Sequence, residues 1–234
     1  MRKWLFGALA ALLLAAMAMT GAADSEGAVV QSSCSIVQSG DHYLVYCYAQ
    51  IHNNSDMVIA LEQGSFELHG GEQILATQDV NQLWPAMINP GEDAYVFDVV
   101  AFEPDENGQP VIPQVTGIVY DIAYMAVDAE FASLALDAQP TIETDKHGGI
   151  TALVTIHNPT QIMAMAPTVS FGLYTDGGAM VYADGLTLHN VGIPAGGSIV
   201  VRFPVDDAIS EQWNSYGAKI TQARAMASFR DGTD

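Results

Sequence analysis

Apolar and polar residues alternate from Val45 to His52. Val45, Cys47, Ala49 and Ile51 share one parity, and Tyr46, Tyr48, Gln50 and His52 the other. Period-two alternation of this kind predicts a strand with one face on a core. The pattern returns as Ile150, Ala152, Val154 and Ile156, interleaved with Thr151, Leu153, Thr155 and His157. Both runs end in Ile-His-Asn, at Asn53 and Asn158. Asn suits a strand end, because it tolerates left-handed backbone and bonds its own backbone two residues on.

His52 and His157 lie 105 positions apart, and the same offset joins many other pairs. Phe66 and Leu68 match Phe171 and Leu173, Ile88 and Gly91 match Ile193 and Gly196, His42 matches His147, and Asp79 matches Asp184. The match runs without insertion or deletion from about Val29 to the C-terminus. Such a period exceeds the roughly 20–50 residues of solenoid and propeller units and has the size of a small domain. The chain reads as one unit written twice. The fold class expected is all-β, two tandem antiparallel β-sandwich domains over 27–129 and 130–234.

Turn chemistry divides the strands. Gly40-Asp41 reads as a two-residue hairpin turn that sets Cys34 opposite Cys47, the two cysteines of the chain. A non-hydrogen-bonded cross-strand pair brings Cα atoms within reach of a disulfide, so Cys34–Cys47 is expected to be a structural staple. Gly70-Gly71 and Asp176-Gly177-Gly178 are further hairpin turns, and Asn89-Pro90-Gly91 and Pro194–Gly197 lead into Ala94–Val100 and Ile199–Val205. There Asp98 falls opposite Phe203 although Phe97 is its better chemical match, which predicts a one-residue slip or bulge. Asp206–Trp213 places acids first and Ile209 and Trp213 four apart, as in a short helix. Ala129–Gln139 joins the units without a Pro/Ser spacer, so the domains are expected to sit close together.

The strand Phe171-Gly172-Leu173-Tyr174-Thr175-Asp176, preceded by an Asn-ended strand and followed by a Gly-rich turn, resembles the FxLYD domain family. Thr175 separates Tyr174 from Asp176; the first copy keeps Phe66 and Leu68 and continues His69-Gly70-Gly71. The resemblance implies small immunoglobulin-like β-sandwiches of exported prokaryotic proteins, with no catalytic residues.

Export has its own signal. Arg2 and Lys3 precede an uncharged segment from Trp4 to Ala23 that ends in small residues, the pattern of a signal peptide over 1–23. The alternative is an uncleaved anchor, since about 20 apolar residues can span a bilayer. Either way the location expected is extracytoplasmic, secreted or envelope-associated. Cleavage would remove two of the 7 basic residues and leave 5 against 27 acids, a formal charge of −22. That balance excludes nucleic acid as a partner and disfavours anionic membrane surfaces, leaving an uncleaved leader as the route to a bilayer.

Candidate chemistry is sparse. His52 and His157 could be metal ligands, but a turn-flanking role is favoured, and Asp105–Gly108 lacks the alternating ligands of a calcium loop. Asp79 and Asp184 read as turn residues of the fold. Nucleophile elbow, phosphate loop, dinucleotide fingerprint and HExxH are all missing, so neither catalysis nor a cofactor or metal is expected. The function expected is a non-catalytic module for binding or envelope structure, its partner a protein or glycan of the cell envelope. The alternatives are a calcium- or metal-stabilised adhesion module and an enzyme without a recognisable motif. The candidate interaction surface is the polar parity of the paired strands: Tyr46, Tyr48, His52, Thr151, Thr155 and His157.

Overall fold

The computed structural model describes residues 27–231. The expected leader at 1–23 lies outside them. The fold is antiparallel all-β. Its first half holds β1 (Gly27–Ser39), β2 (His42–Asn53), β3 (Val58–Gly70), β4 (Gln73–Asp79), β5 (Leu83–Trp84), β6 (Met87–Ile88), β7 (Asp93–Phe102) and β8 (Gly117–Val127). After a 3-10 turn at Ala129–Phe131 the second half holds β9 (Leu134–Thr144), β10 (Ile150–His157), β11 (Ala164–Met165), β12 (Thr168–Thr175) and β13 (Met180–Thr187). It continues with β14 (Gly192–Ile193), β15 (Ser198–Pro204), helix α1 (Asp207–Tyr216) and β16 (Ile220–Phe229).

In the first half, β1-β2-β7-β5 form one layer and β4-β3-β6, with β8 on β3, form the other. The second half links its layers into one sheet, β13-β12-β16-β9-β10-β15. Strand β9 makes the link: Leu134–Leu136 pair with β16, and Asp137–Thr144 pair with β10.

Register shows which parts of the repeat are faithful. Cys47 faces Asp98 and Ala152 faces Phe203, so β2–β7 and β10–β15 pair at the same 105-residue offset. The slip expected at Asp98 does not exist. Asp98 stands where Phe203 stands, on the core-facing parity, and is itself buried. The one-residue slip lies in another hairpin: Phe66 faces Gln78, but Phe171 faces Asp184. The cause is a longer turn, Asp176-Gly177-Gly178 closed by Thr175 and Ala179, against Gly71-Glu72 in the first half. Asp79 and Asp184 are therefore not equivalent, and both lie in strands, not turns.

Nor is the repeat free of insertions. The β1–β2 hairpin turns at Gly40-Asp41, with Ser39 paired to His42. Its counterpart pairs Thr144 with Ile150 and needs the five-residue loop Asp145–Gly149, whose Asp145 Oδ1 accepts the His147 and Gly149 N–H groups at 2.7 and 2.9 Å. That loop shifts β9 by three residues, so Cys34 corresponds to Ile142 and not to Gln139. The His42/His147 match is likewise lost, because His42 begins β2 and His147 sits in the loop.

The two Ile-His-Asn ends are the most faithful feature. Asn53 is fully buried; its Nδ2 donates to Met57 O and Ile88 O at 2.8 and 2.9 Å, and its Oδ1 accepts Ser55 N–H and Oγ–H at 2.9 and 2.7 Å. Asn158 repeats the set with Ile162 O, Ile193 O and both donors of Thr160. Each side chain thus fills its full hydrogen-bonding capacity and ties a strand end to the strand crossing beneath it. The expected bond two residues on is present, but neither Asn takes positive φ.

Helix α1 forms where its sequence predicts. Asp206 caps it by accepting Ala208 N–H at 2.8 Å, Gly217 ends it at φ 68°, and Ile209 and Trp213 are buried. Acid at the N-terminus and glycine at the left-handed C-terminus suit the unpaired groups of each helix end.

Candidate functional site

The layer of β2 and β7 and its counterpart of β10 and β15 each have two faces, and the two halves use them differently. In the first half, Val45, Cys47, Ala49 and Ile51 of β2 and Ala94, Val96 and Val100 of β7 face the half's own core. The opposite parity carries Tyr46, Tyr48, Gln50, Tyr95 and Phe97, and it packs on β12 and β13 of the second half. Tyr48 and Tyr95 share one apolar cluster with Phe171, Leu173, Tyr174 and Tyr182. Rings bridge the halves, with Tyr48 and Tyr182 centroids 5.0 Å apart and Phe97 and Tyr182 centroids 6.3 Å apart. The halves do sit close together.

Polar bonds fix the geometry of this contact. Tyr174 Oη donates to Gln50 Oε1 at 3.0 Å and accepts from Tyr95 Oη–H at 3.1 Å, while the Arg224 guanidinium lies 4.5 Å over the Tyr174 ring. Met180 N–H donates to Gln31 Oε1 and Gln212 Nε2 to Ile36 O, both at 2.8 Å. Gly172 allows the close approach: a Cβ there would stand 2.7 Å from Tyr95 Cε1. Gly172 and Tyr174 of the Phe-x-Leu-Tyr run thus serve the contact between halves, whereas Phe171 and Leu173 fill the second core.

The six candidate surface residues therefore part company. Tyr48 is buried and Tyr46 half-buried beside Phe97, so neither offers a free surface; the second half already covers them. The sequence signal was present in the aromatic content of that parity, which is higher than an exposed sheet face needs. His52 Nδ1 meets Asp93 Oδ1 at 2.8 Å, a carboxylate brought beside it by cross-strand pairing. In the second half His157 Nδ1 meets Ser198 Oγ at 3.0 Å instead. Thr151, Thr155 and His157 lie on the face of β10 that corresponds to the covered face of β2, and here it stays open. With them stand Leu153 and the exposed Val200 and Arg202 of β15, Val200 at 58% exposure. This open face of β9-β10-β15 is the candidate binding surface.

Acids are spread elsewhere. Asp105 Oδ1 accepts Asn107 and Gln109 N–H at 2.9 and 2.8 Å, closing its own loop. A cleft of about 220 Å³ is lined by Asp145, His147, Gly148, Gly149, Asp207, Ser210 and Glu211, smaller than the roughly 300–1,000 Å³ of small-molecule sites. Among the described residues no three His, Cys, Asp or Glu side chains gather as metal ligands, and no helix is long and apolar enough to cross a membrane.

Cys34 and Cys47 face each other in the register the hairpin turn predicts. Both are free thiols, however, and the expected bond between them is not formed: Cys47 Sγ turns to its own strand and donates to Val45 O at 3.6 Å. Burial pushes the Cys34 thiol up to about 11 and raises Cys47 well above its ordinary value.

Burial also raises the Asp98 carboxyl, offset in part by the Asn81 N–H at 3.2 Å. A carboxyl whose pKa rises on folding holds its proton more tightly in the folded state. The folded state is favoured while that proton is bound, and stability declines as pH rises from the unfolded pKa through the folded one. Asp98→Asn should therefore raise the melting temperature near pH ~7 and leave it little changed near pH ~3. Thermal melts at both pH values check this; a gain no larger at neutral pH than in acid would contradict it.

No family model matches the chain, and no curated protein matches it. Among solved structures, red sea bream transglutaminase is 12% identical at a TM-score of 0.25, over 87% of this chain and 30% of that one. The secreted serine protease VesC of Vibrio cholerae is 15% identical at 0.17, over 85% and 50%. Procruciferin, an 11S globulin of Brassica napus, is 8% identical at 0.14, over 86% and 84%. The chain thus spans half or less of the first two, and at these scores the likeness carries no argument about function.

Proposed function

We propose that this chain is an exported, non-catalytic binding module of the cell envelope, built from two FxLYD-like immunoglobulin-type sandwiches that divide near residue 130. The signal-like leader, Arg2 and Lys3 before the uncharged Trp4–Ala23, supports the extracytoplasmic setting. In that setting Cys34 and Cys47 close as a disulfide when an oxidant is supplied, their cross-strand pairing being the arrangement a bridge requires. The observation that carries the binding reading is the unequal fate of one sheet face. In the first half it is aromatic and covered by a neighbour; in the second half it is the open surface of Thr151, Leu153, Thr155, His157, Val200 and Arg202. A sheet face of mixed apolar and polar side chains is a surface on which a second protein or a glycan can lie.

The experiment is capture from envelope extracts with the immobilised chain, at low and high salt. Thr155→Arg and Val200→Asp place long or charged groups on the open face and should reduce capture of the bound protein or glycan at least tenfold, with folding unchanged by circular dichroism. Capture should also weaken as salt rises, because exposed charge attraction is screened. Undiminished capture by both variants would sink the open face as the site. Recovery of a small metabolite together with its converted product would replace the module by an enzyme.

A further inference from the structure

Cys34, Cys47 and Asp98 form one lateral row across β1, β2 and β7, because Cys34 pairs with Cys47 and Cys47 pairs with Asp98. The same row in the second half is Ile142, Ala152 and Phe203. One copy of the fold thus carries two thiols and a carboxyl where the other copy carries three apolar side chains. Cys47 and Asp98 are both buried, at 0% and 3% exposure, whereas Cys34 is partly open. A carboxyl in an apolar core is costly, and Phe203 demonstrates that the position does not require one. Tyr120 of β8, in the facing layer, packs with Cys34 on the apolar cluster that holds Cys47, and its buried hydroxyl has no hydrogen-bond partner among the described residues. The backbone of Asn81 holds the Asp98 carboxyl from the loop after β4.

We propose that Asp98 is the proton acceptor through which Cys34 and Cys47 close into a disulfide by exchange with a small-molecule disulfide. This rests on the disulfide reading given above and adds its mechanism. Cys34, the more accessible sulfur, loses its proton to solvent and attacks one sulfur of the external disulfide. A mixed disulfide forms and the first external thiolate leaves, taking a proton from water. Cys47 then passes its proton to Asp98 as its sulfur attacks Cys34 Sγ. The bond from Cys34 to the external group breaks, and the second thiolate leaves and recovers the proton from Asp98. Two protein thiols are oxidised to one disulfide, one external disulfide is reduced to two thiols, and Asp98 ends as a carboxylate. Buried thiols with raised pKa supply little thiolate at neutral pH, which is why a neighbouring base matters to the closing step.

The test uses the reduced full-length protein with oxidised glutathione. Closure is followed by alkylation and mass spectrometry, and the second step by release of the second equivalent of glutathione. Asp98→Asn keeps an oxygen for the Asn81 N–H but cannot take a proton. It should slow the second step about tenfold at neutral pH and leave mixed-disulfide formation at Cys34 unchanged, the difference shrinking as pH approaches the thiol range. Equal rates and equal pH profiles for variant and wild type would overturn the role of Asp98 alone. Failure of the wild type to form the Cys34–Cys47 bond at any pH would overturn the disulfide reading beneath it. Should Asp98→Asn not fold, the wild-type profile of the second step decides. A rate that levels off at or below neutral pH supports the acceptor, and one that climbs throughout the thiol range overturns it.

Discussion

Asn158→Ala is expected to destabilise the protein by about 2–4 kcal/mol, the cost of leaving buried backbone groups without partners. The Nδ2 donors of Asn158 satisfy Ile162 O and Ile193 O at 2.8 Å, and its Oδ1 takes both Thr160 donors. Thr160 and Ile162 lie toward the surface, and water can replace part of what is lost there. Ile193 is fully buried, so its carbonyl has no such recourse. Asn158→Asp should cost nearly as much, because a carboxylate keeps the acceptor and loses both donors. Asn53→Ala removes the same set in the first half, and the two losses should add, since the sites share no hydrogen-bond partner. Urea unfolding monitored by tryptophan fluorescence measures all three. A loss below about 1 kcal/mol for Asn158→Ala would mean that the strand end is held by its backbone bonds alone.

These asparagines also mark how far the sequence could be read. Alternation at Val45–Ile51 and Ile150–Ile156 located the strands and their buried parity, because a period of two is a local signal that needs no knowledge of partners. The hairpin at Gly40-Asp41 gave its register for the same reason, since a two-residue turn fixes the pairs above it, here from Ser39–His42 to Gln31–Gln50 before a bulge at Val30 shifts the rest by one. Loop lengths were less legible. The five residues Asp145–Gly149 and the longer turn at Asp176-Gly177-Gly178 each move a strand while the 105-residue offset elsewhere holds, so an ungapped match conceals them. Asp98 misled for a related reason: its chemistry suggested slippage, but cross-strand pairing had kept it in the core row. The candidate surface was legible as a parity but not as a fate. Nothing in Tyr46 or Tyr48 taken alone says that another half of the same chain will cover them.

That covered face yields the other large effect. Tyr48→Ala is expected to cost about 3–5 kcal/mol, the range for deleting a fully buried aromatic side chain. Tyr48 has 0% exposure and lies between Phe97 on its own sheet and Tyr182 on the other half, so truncation opens a cavity on the seam itself. Around that seam only a few polar contacts tie the halves, chiefly Tyr174 with Gln50 and Tyr95. Loss of the central ring should therefore weaken the coupling between halves as well as total stability. In scanning calorimetry the wild type should unfold in one cooperative transition, and Tyr48→Ala in two, the lower one carrying most of the shift. Gly172→Ala should act in the same direction by a different cause, because its Cβ at 2.7 Å from Tyr95 Cε1 forces the sheets apart and does not hollow them. Its cost should be about 1–3 kcal/mol. A control on the open side, Thr155→Ala, should change stability by less than about 0.5 kcal/mol. If Tyr48→Ala were as mild as that control, or if the wild type already unfolded in two separated steps, the aromatic face would be a passive contact, and the two halves would stand as independent sandwiches.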